Sequence, residues 1–194
     1  MLQSVNMAKV YNIIYADPPW QYSKNAETKN TRDVEFHYDT MPTEDICKMP
    51  IRDLAANNCV LLMWATFPKL QDGLDVIKAW GFDYKTVAFV WVKKNKKAQT
   101  PFWGMGSWTR SNAELCMLAT KGTPKRNRAD IHQLVYAPIE THSKKPNEVR
   151  QHIIKLCGDL PRIELFSRQA PLGWDYFGNG VKDNANLETQ LFNE

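Results

Sequence analysis

The sequence lacks the long apolar segments that mark membrane and secreted proteins. No apolar run approaches the roughly 20 residues that a helix needs to cross a bilayer. The N-terminal stretch MLQSVNMAKVYNIIYADPPW contains no extended apolar core followed by a small-residue cleavage site. We therefore expect a cytoplasmic protein that does not contact a membrane.

Cysteine and histidine are also sparse, with four of each in 194 residues. No two cysteines form a C-x-x-C pair, and the histidines do not fall at metal-ligand spacing. The sequence therefore predicts no metal site. The cysteines are expected to be buried free thiols: Cys47, Cys59, Cys116 and Cys157.

Positive charge is unevenly distributed along the chain. Residues 93–128 contain nine lysines and arginines but a single acid, Glu114. The rest of the chain has 16 basic and 20 acidic residues, so its net charge is −4 against +4 for the whole. A basic segment on a slightly acidic body indicates either a local contact with a polyanion or a solvated surface loop, and charge alone leaves both open.

Short apolar runs alternate with segments of helical periodicity. Buried strands are predicted at residues 10–16, 59–65, 84–92, 113–119 and 162–166. Helices are predicted from Thr43 as N-cap, over residues 67–80 and over residues 147–157. Residues 121–142 are predicted to be a polar, basic connection. This alternation predicts one α/β domain over residues 1–194, with a mainly parallel sheet and helices on both faces.

The first predicted strand ends at Asp17-Pro18-Pro19-Trp20. Two prolines cannot continue a strand ladder, and in sheets of this kind ligands bind beyond the carboxyl ends of the strands. The tetrapeptide therefore lies where chemistry is expected. A strand-terminating turn with an aspartate cap and a core tryptophan would have the same sequence.

The tetrapeptide suits transfer of a methyl group to the exocyclic amine of adenine. The lone pair of that nitrogen is delocalised into the ring, so the nitrogen is a poor nucleophile. The carboxylate of Asp17 and the carbonyl of Pro18 could accept its two N–H bonds and stabilise the positive charge that develops. Pro18 and Pro19 fix the backbone. Trp20 offers a face for stacking of the base, an interaction of about 1–3 kcal/mol.

Ordered motifs extend across nearly the whole chain. They are YNIIYADPPW (11–20), FHYDTM (36–41), LLMWATF (61–67), GFDYKT (81–86), GMGSWTRSNAELCMLATKG (104–122), HSKKPNE (142–148), PRIELFSR (161–168) and GWDYFGN (173–179). Together they resemble the DPPW-type adenine-N6 methyltransferases. That family includes the catalytic subunit of the eukaryotic messenger-RNA adenosine methyltransferase and small bacterial and phage enzymes.

The resemblance implies a Rossmann-like methyltransferase fold with permuted motif order and S-adenosylmethionine as cofactor. It implies that the catalytic residues are Asp17, Pro18, Pro19 and Trp20. It places near the cofactor Asp17, Pro18, Lys145, Glu164, Phe166, Arg168 and Asn179. An acid at a strand end suits ribose hydroxyls. A solvated charge at Lys145 and a core position for Phe166 remain open alternatives.

The resemblance also gives the basic loops at residues 93–108 and 121–138 a function in nucleic-acid contact. The residues expected to make it are Lys93, Lys94, Lys96, Lys97, Trp103, Arg110, Lys125, Arg126 and Arg128. Core packing is favoured more for Trp108 than for Trp103. DNA is favoured over RNA, and an adenine within a duplex would have to flip out. Without a separate recognition domain, specificity should be modest or depend on a homodimer or a partner subunit.

Two other functions remain open. A methyltransferase acting on cytosine N4 shares the acceptor geometry, although relatives of that kind usually have serine in place of Asp17 and an aromatic residue other than Trp20. A non-catalytic nucleic-acid-binding scaffold would use the basic loops alone and would not bind S-adenosylmethionine.

Overall fold

The computed structural model describes residues 9–22, 40–98, 100–106, 108–140 and 144–178. The strands in these ranges are β1 Tyr11–Ala16, β2 Ala55–Ala65, β3 Asp83–Lys94, β4 Ala113–Lys121, β5 Leu134–Pro138, β6 Arg162–Ser167 and β7 Asp175–Gly178. The helices are α1 Thr43–Lys48, α2 Ile51–Leu54, α3 Leu70–Ala79 and α4 Glu148–Cys157. None of these helices is long and apolar enough to cross a membrane.

The strands form one sheet in the order β5-β3-β4-β2-β1-β6-β7. β4 runs antiparallel to its neighbours β2 and β3, and the other described pairs are parallel. We call the edge where the parallel strands end the carboxyl edge, and the opposite one the amino edge. β4 starts at the carboxyl edge, with Leu115 opposite Ala65, and ends at the amino edge, with Lys121 opposite Cys59. The predicted α/β fold with a mainly parallel sheet is confirmed.

Helices cover both faces of this sheet. Ile46 of α1, Ile51 of α2 and Val76 of α3 belong to the core on one face. Val149 and Ile153 of α4 belong to the core on the other face. α1 and α2 connect β1 to β2, and α4 connects β5 to β6, so the connections that adjoin the neighbouring strands β1 and β6 cover opposite faces. Such a reversal leaves a crevice at the carboxyl ends of the two strands, where α/β proteins bind ligands.

The helix predicted over residues 67–80 begins as a 3₁₀ turn, Phe67–Lys69, and becomes α-helical at Leu70. The buried indole of Trp80 follows α3 and donates to the Ile46 carbonyl at 2.8 Å, so that it joins α3 to α1. Gly81 has φ of 78°, the left-handed conformation that ends a helix, as predicted.

Two details differ from the sequence predictions. The prediction that Thr43 caps α1 is wrong, because the cap is Pro42 and the Thr43 hydroxyl donates to Asp72 of α3. Residues 121–142 are not only a connection, since they contain the edge strand β5 with alternating exposed and buried side chains. The sequence also predicts no strand at β7, whose four residues are all only half-buried.

Gly122 and Gly158 offer a matched test of the packing at the amino edge. Both have left-handed φ angles, of 67° and 95°. A Cβ at Gly122 would lie 2.1 Å from the Asn57 carbonyl oxygen, whereas at Gly158 the nearest atom is 3.8 Å away. Gly158→Ala should lower the free energy of unfolding by about 1–3 kcal/mol through backbone strain. Gly122→Ala should lower the free energy of unfolding by more than Gly158→Ala does. Equal losses for the two variants in urea denaturation would contradict the close approach of Gly122 to the Asn57 carbonyl oxygen.

Candidate active site

The segments that follow β1 and β6 meet at the carboxyl edge. Ala16 lies opposite Leu165 in the parallel pair, and the backbone N–H of Asp17 donates to the Leu165 carbonyl oxygen at 3.5 Å. The fold therefore brings the predicted catalytic tetrapeptide next to the end of β6, which contains Glu164 and Phe166, two of the residues expected to hold a cofactor.

Hydrogen bonds fix the tetrapeptide in place. The Trp20 N–H donates to the Pro18 carbonyl at 2.9 Å, and the Met41 N–H donates to the Pro19 carbonyl at 2.8 Å. The Trp20 indole N–H donates to the Trp64 carbonyl at 3.1 Å, at the end of β2. With Trp20 only 5% exposed, its ring holds the loop against β2 and leaves little open surface. Stacking of a base on this ring stays a prediction.

Asp17 of the tetrapeptide is the first of four neighbouring charged side chains of alternating sign. The Lys145 Nζ atom is 2.8 Å from Oδ1 and 2.9 Å from Oδ2 of Asp17. It is also 3.2 Å from Oε2 of Glu114, whose Oε1 accepts from Lys93 at 2.6 Å. The side chains of Lys145 and Glu114 are 8% and 11% exposed. Because water is largely excluded, these interactions are stronger than surface ion pairs.

Burial and the neighbouring charges shift the pKa values of this group. Burial raises the pKa of Asp17 above its usual 3.8, although the Lys145 ammonium opposes the shift. Burial alone would raise the pKa of Glu114, but Lys145 and Lys93 outweigh it and lower that pKa. Burial would lower the pKa of Lys145, but Asp17 and Glu114 raise it above the usual value. Lys145 is therefore a permanent cation. Of the two carboxylates that it contacts, Asp17 takes up a proton more readily than Glu114.

Glu164, the predicted ribose-binding acid, is buried in β6 and bound by Arg150 of α4. The Arg150 Nε and Nη2 atoms donate to its two oxygens at 2.5 and 2.7 Å. The guanidinium also lies 5.9 Å from the centroid of the Tyr15 ring. A carboxylate offers about four lone-pair positions. The bidentate contact with Arg150 therefore leaves Glu164 able to accept further hydrogen bonds.

The backbone near the end of β6 is strained. Phe166 has φ of 61°, the only positive value among the non-glycine residues that the structure describes. A bulky residue in this conformation is unusual and costs about 1–3 kcal/mol, a kind of strain that clusters at functional sites. Phe166 is buried in the core, and Arg168 just beyond it is exposed. The predicted cofactor residue Asn179 lies outside the described residues.

The two predicted basic loops begin at opposite edges of the sheet. We call residues 95–112 the carboxyl-edge loop, because they connect the end of β3 to the start of β4. Of the predicted nucleic-acid contacts, Lys96, Lys97 and Arg110 lie there with exposed side chains, and Trp103 is 58% exposed. Trp108 is 99% exposed, so the prediction that favours core packing for Trp108 over Trp103 is wrong.

The other predicted contacts are divided between the carboxyl and amino edges. Lys94 ends β3 at the carboxyl edge, while Lys93 is bound by Glu114. The segment after β4 is at the amino edge, where the Asn127 N–H donates to the Leu156 carbonyl at 2.6 Å. That segment carries three exposed cations: Lys125, Arg126 and Arg128. The structure therefore does not bring these three residues together with Asp17.

Two members of the site, Glu114 and Arg150, were missed by sequence reasoning. Glu114 had a usable signal, because it is the single acid of residues 93–128 and lies in an apolar strand, where an unpaired carboxylate is costly to bury. Arg150 had none, because only the packing of α4 on the sheet brings it to Glu164.

Ionisable groups suited to a polar ligand thus concentrate along the β1–β6 crevice. Lys145 is a buried cation shared by Asp17 and Glu114, and Glu164 retains lone pairs for hydroxyl groups. Within the described ranges, no group of three or more histidine, cysteine, aspartate or glutamate side chains is placed to hold a metal ion.

Lys145 and Lys144 allow a test of the buried charges. Lys145→Met leaves the buried Glu114 and the partly buried Asp17 without their shared counter-ion and should lower the free energy of unfolding at pH 7 by about 3–5 kcal/mol. Lys144→Met is the matched control, because Lys144 pairs with Glu140 near the surface. This change should lower the free energy of unfolding by less than about 1 kcal/mol.

The loss in Lys145→Met should also depend on pH. Without the ammonium, the pKa of Asp17 in the folded protein rises further above its unfolded value. The destabilisation of the variant is therefore absent at a pH below the pKa of Asp17 in the unfolded chain. It grows as the pH rises through the pKa of Asp17 in the folded variant. Urea denaturation of the wild type and the variant at pH 5 and pH 7 measures this dependence. If the variant lost the same free energy of unfolding at both pH values, the ion pair would be contradicted.

Comparison with known proteins shows the family to which the chain belongs. The MT-A70 family model matches residues 11–180. The chain is 35% identical to the Type II methyltransferase M.MunI of a Mycoplasma species, over 91% of this chain and 80% of that protein.

Longer eukaryotic relatives also match. The chain is 27% identical to an N(6)-adenosine-methyltransferase MT-A70-like protein of Arabidopsis thaliana, over 87% of this chain and 23% of that protein. It is 25% identical to the human N(6)-adenosine-methyltransferase catalytic subunit METTL3, over 90% of this chain and 29% of that protein. The chain thus spans under a third of these two relatives. These matches confirm the resemblance predicted from the motifs, and the chain belongs to the MT-A70 family of methyltransferases.

Proposed function

We propose that this chain transfers a methyl group from S-adenosylmethionine to the N6 amino group of adenine in a nucleic acid, with DNA favoured over RNA. The observation that carries the proposal is the Asp17 carboxylate. It lies at the carboxyl end of β1, 22% exposed and oriented by a buried lysine, in the Asp-Pro-Pro-Trp tetrapeptide of an MT-A70 domain.

Asp17 would accept one N–H bond of the target amine. The Pro18 carbonyl already accepts from the Trp20 N–H, but its second lone pair can accept the other. Positive charge that develops on the nitrogen then lies beside a carboxylate in a site from which water is largely excluded, where such stabilisation is strongest. The raised pKa of Asp17, caused by burial, also suits it to receive the proton that the amine loses.

Lys145 would keep Asp17 in position. It contacts both carboxylate oxygens and is itself held by Glu114. A carboxylate that is already oriented needs no reorganisation as charge develops, which is the basis of electrostatic preorganisation. The Asp17–Lys145–Glu114 group would therefore act as one unit.

The residues of the β1–β6 crevice fit S-adenosylmethionine. Lys145 would approach the carboxylate of its methionine part, with Lys93 sharing the charge of Glu114, and Glu164 retains lone pairs suited to ribose hydroxyls. The strained backbone at Phe166, near the end of β6, lies just before Arg168. When bound, this cofactor supplies a methyl group carried on a positively charged sulfur.

The carboxyl-edge loop would hold the nucleic acid. Its exposed cations lie at the same edge of the sheet as Asp17, where they can contact phosphates. Trp103 and Trp108 expose 58% and 99% of their surface, and exposed aromatic rings of this kind stack on unpaired bases. We favour DNA because of the match to the Mycoplasma Type II methyltransferase. The chain covers 80% of that protein's length but only 23% of the Arabidopsis relative's length.

Asp17→Asn tests the proposed acceptor, since it keeps the shape of the side chain and removes its charge. We expect methyl transfer to fall about 10²–10³-fold, the usual loss when a group that stabilises transition-state charge is removed. Asp83→Asn, a change at an 84% exposed aspartate, should leave the rate within about twofold. The measurement is mass spectrometry of nucleosides after incubation with S-adenosylmethionine and matched DNA or RNA oligonucleotides.

The product identifies the reaction. N6-methyladenine that is lost in Asp17→Asn supports the proposal, and a higher yield from DNA supports the substrate preference. N4-methylcytosine would instead indicate the cytosine enzyme. Failure to bind S-adenosylmethionine would indicate a non-catalytic scaffold.

Matched charge removal tests which edge of the sheet contacts nucleic acid. Lys94, Lys96 and Lys97 changed together to Gln should weaken binding. The slope of log affinity against log salt concentration should become shallower by about 2 or more, because each phosphate contact contributes about 0.7–0.9. The same change at Lys125, Arg126 and Arg128 should leave the slope nearly unchanged. Equal effects of the two sets in fluorescence anisotropy would contradict this geometry.

A further inference from the structure

A polar cleft of about 390 Å³ lies beside the catalytic tetrapeptide, on the face of the sheet that α1 and α3 cover. Its volume falls within the range of small-molecule sites. It is lined by Gln21, Tyr22, Pro42, Thr43, Glu44, Lys69 and Asp72. None of these residues takes part in the chemistry proposed above.

The cleft is joined directly to the active site. Gln21 follows Trp20 in the chain and lies within about 14 Å of Asp17, because four residues cannot span more. The Gln21 N–H donates to the Met41 carbonyl at 3.1 Å. The Tyr22 hydroxyl forms a hydrogen bond of 2.7 Å with the Thr66 hydroxyl, just beyond the end of β2. The wall between the cleft and Asp17 is therefore fixed rather than loose.

The interior of the cleft is a hydrogen-bonded group. Thr43 and Lys69 both donate to Oδ1 of Asp72, at 2.5 and 3.2 Å, and Oδ2 takes neither of these bonds. The Lys69 ammonium also lies 5.7 Å from the centroid of the Tyr22 ring. The single cation of the cleft is thus already neutralised by a carboxylate.

The charge of the lining excludes a phosphate and favours a hydrogen-bond donor. Two carboxylates, Glu44 and Asp72, face one ammonium, so the net charge is −1. An anion would be repelled, whereas a neutral base with an exocyclic amine can donate to carboxylate and amide oxygens. Carboxylates accept from the amine of cytosine, and glutamine pairs with adenine. Pro42 adds an apolar surface for the ring.

We propose that this cleft binds the nucleobase next to the target adenine and selects a base with an exocyclic amine, namely cytosine, adenine or guanine, over thymine. This inference rests on the proposed function and names the sequence preference of the same site. It divides recognition in the usual way, with phosphate contacts from the carboxyl-edge loop for position and base contacts from the cleft for sequence.

Binding measured without cofactor tests the cleft separately from catalysis. The probes are fluorescein-labelled single-stranded DNA oligonucleotides with one central adenine and cytosine, adenine, guanine or thymine on either side. The variants are Gln21→Ala and Glu44→Gln, both at exposed positions. Gln71→Ala, a change at an exposed glutamine of α3 that does not line the cleft, is the matched control.

We expect wild type to prefer cytosine, adenine and guanine to thymine at one neighbouring position by at least about fivefold, the discrimination of one good base contact. Gln21→Ala and Glu44→Gln should reduce this preference to below about twofold and leave affinity for the thymine probe unchanged. Gln71→Ala should behave as wild type.

Three results would overturn the inference: no preference in wild type, an equal loss of affinity for all probes, or the same effect in Gln71→Ala. A methylation assay on the same proteins separates the two proposals. Methylation of adenine without a base preference refutes the cleft alone, and a preference without methylation refutes the proposed function alone.

Discussion

The structure depends on keeping a carboxylate ionised where water is scarce. Asp17 is partly buried at the end of β1, and burial by itself raises its pKa. Lys145 makes the ionised form tolerable, and Glu114 in turn holds Lys145 at 3.2 Å. Removing Lys145 leaves Asp17 without its counter-ion and Glu114 with Lys93 alone in a poorly solvated place, which is costly. The remaining features of the site follow from where this group can be built.

The sheet topology provides that place. β1 and β6 are adjacent and parallel, and their connections cover opposite faces, so the chain leaves a crevice at their carboxyl ends. The antiparallel β4 brings Glu114 to the same edge, because β4 begins where β2 ends. The same reversal carries Lys125 and its basic neighbours to the far edge. Because β4 is antiparallel, the two basic loops lie at opposite edges of the sheet, although they are neighbours in the sequence.

The sequence predicted the fold class, most strands and the location of the tetrapeptide, because these depend on local apolar runs and on prolines that end a strand. It did not predict β5 and β7, which are short edge strands with little buried surface. It favoured core packing for Trp108 over Trp103, whereas Trp108 is the more exposed of the two, since an aromatic residue near a strand carries no local mark of exposure. Arg150 could not be found, because its contact with Glu164 exists only after α4 packs on the sheet.

The central claim is that an ionised Asp17 accepts the amine of adenine. Its most direct test is the single-turnover rate of adenine methylation by the wild-type protein as a function of pH. The account predicts a rate that falls on the acid side with a midpoint above 3.8, the usual aspartate value, because burial raises the pKa of this group. A rate that stays constant down to that value, or a product other than N6-methyladenine, would contradict it.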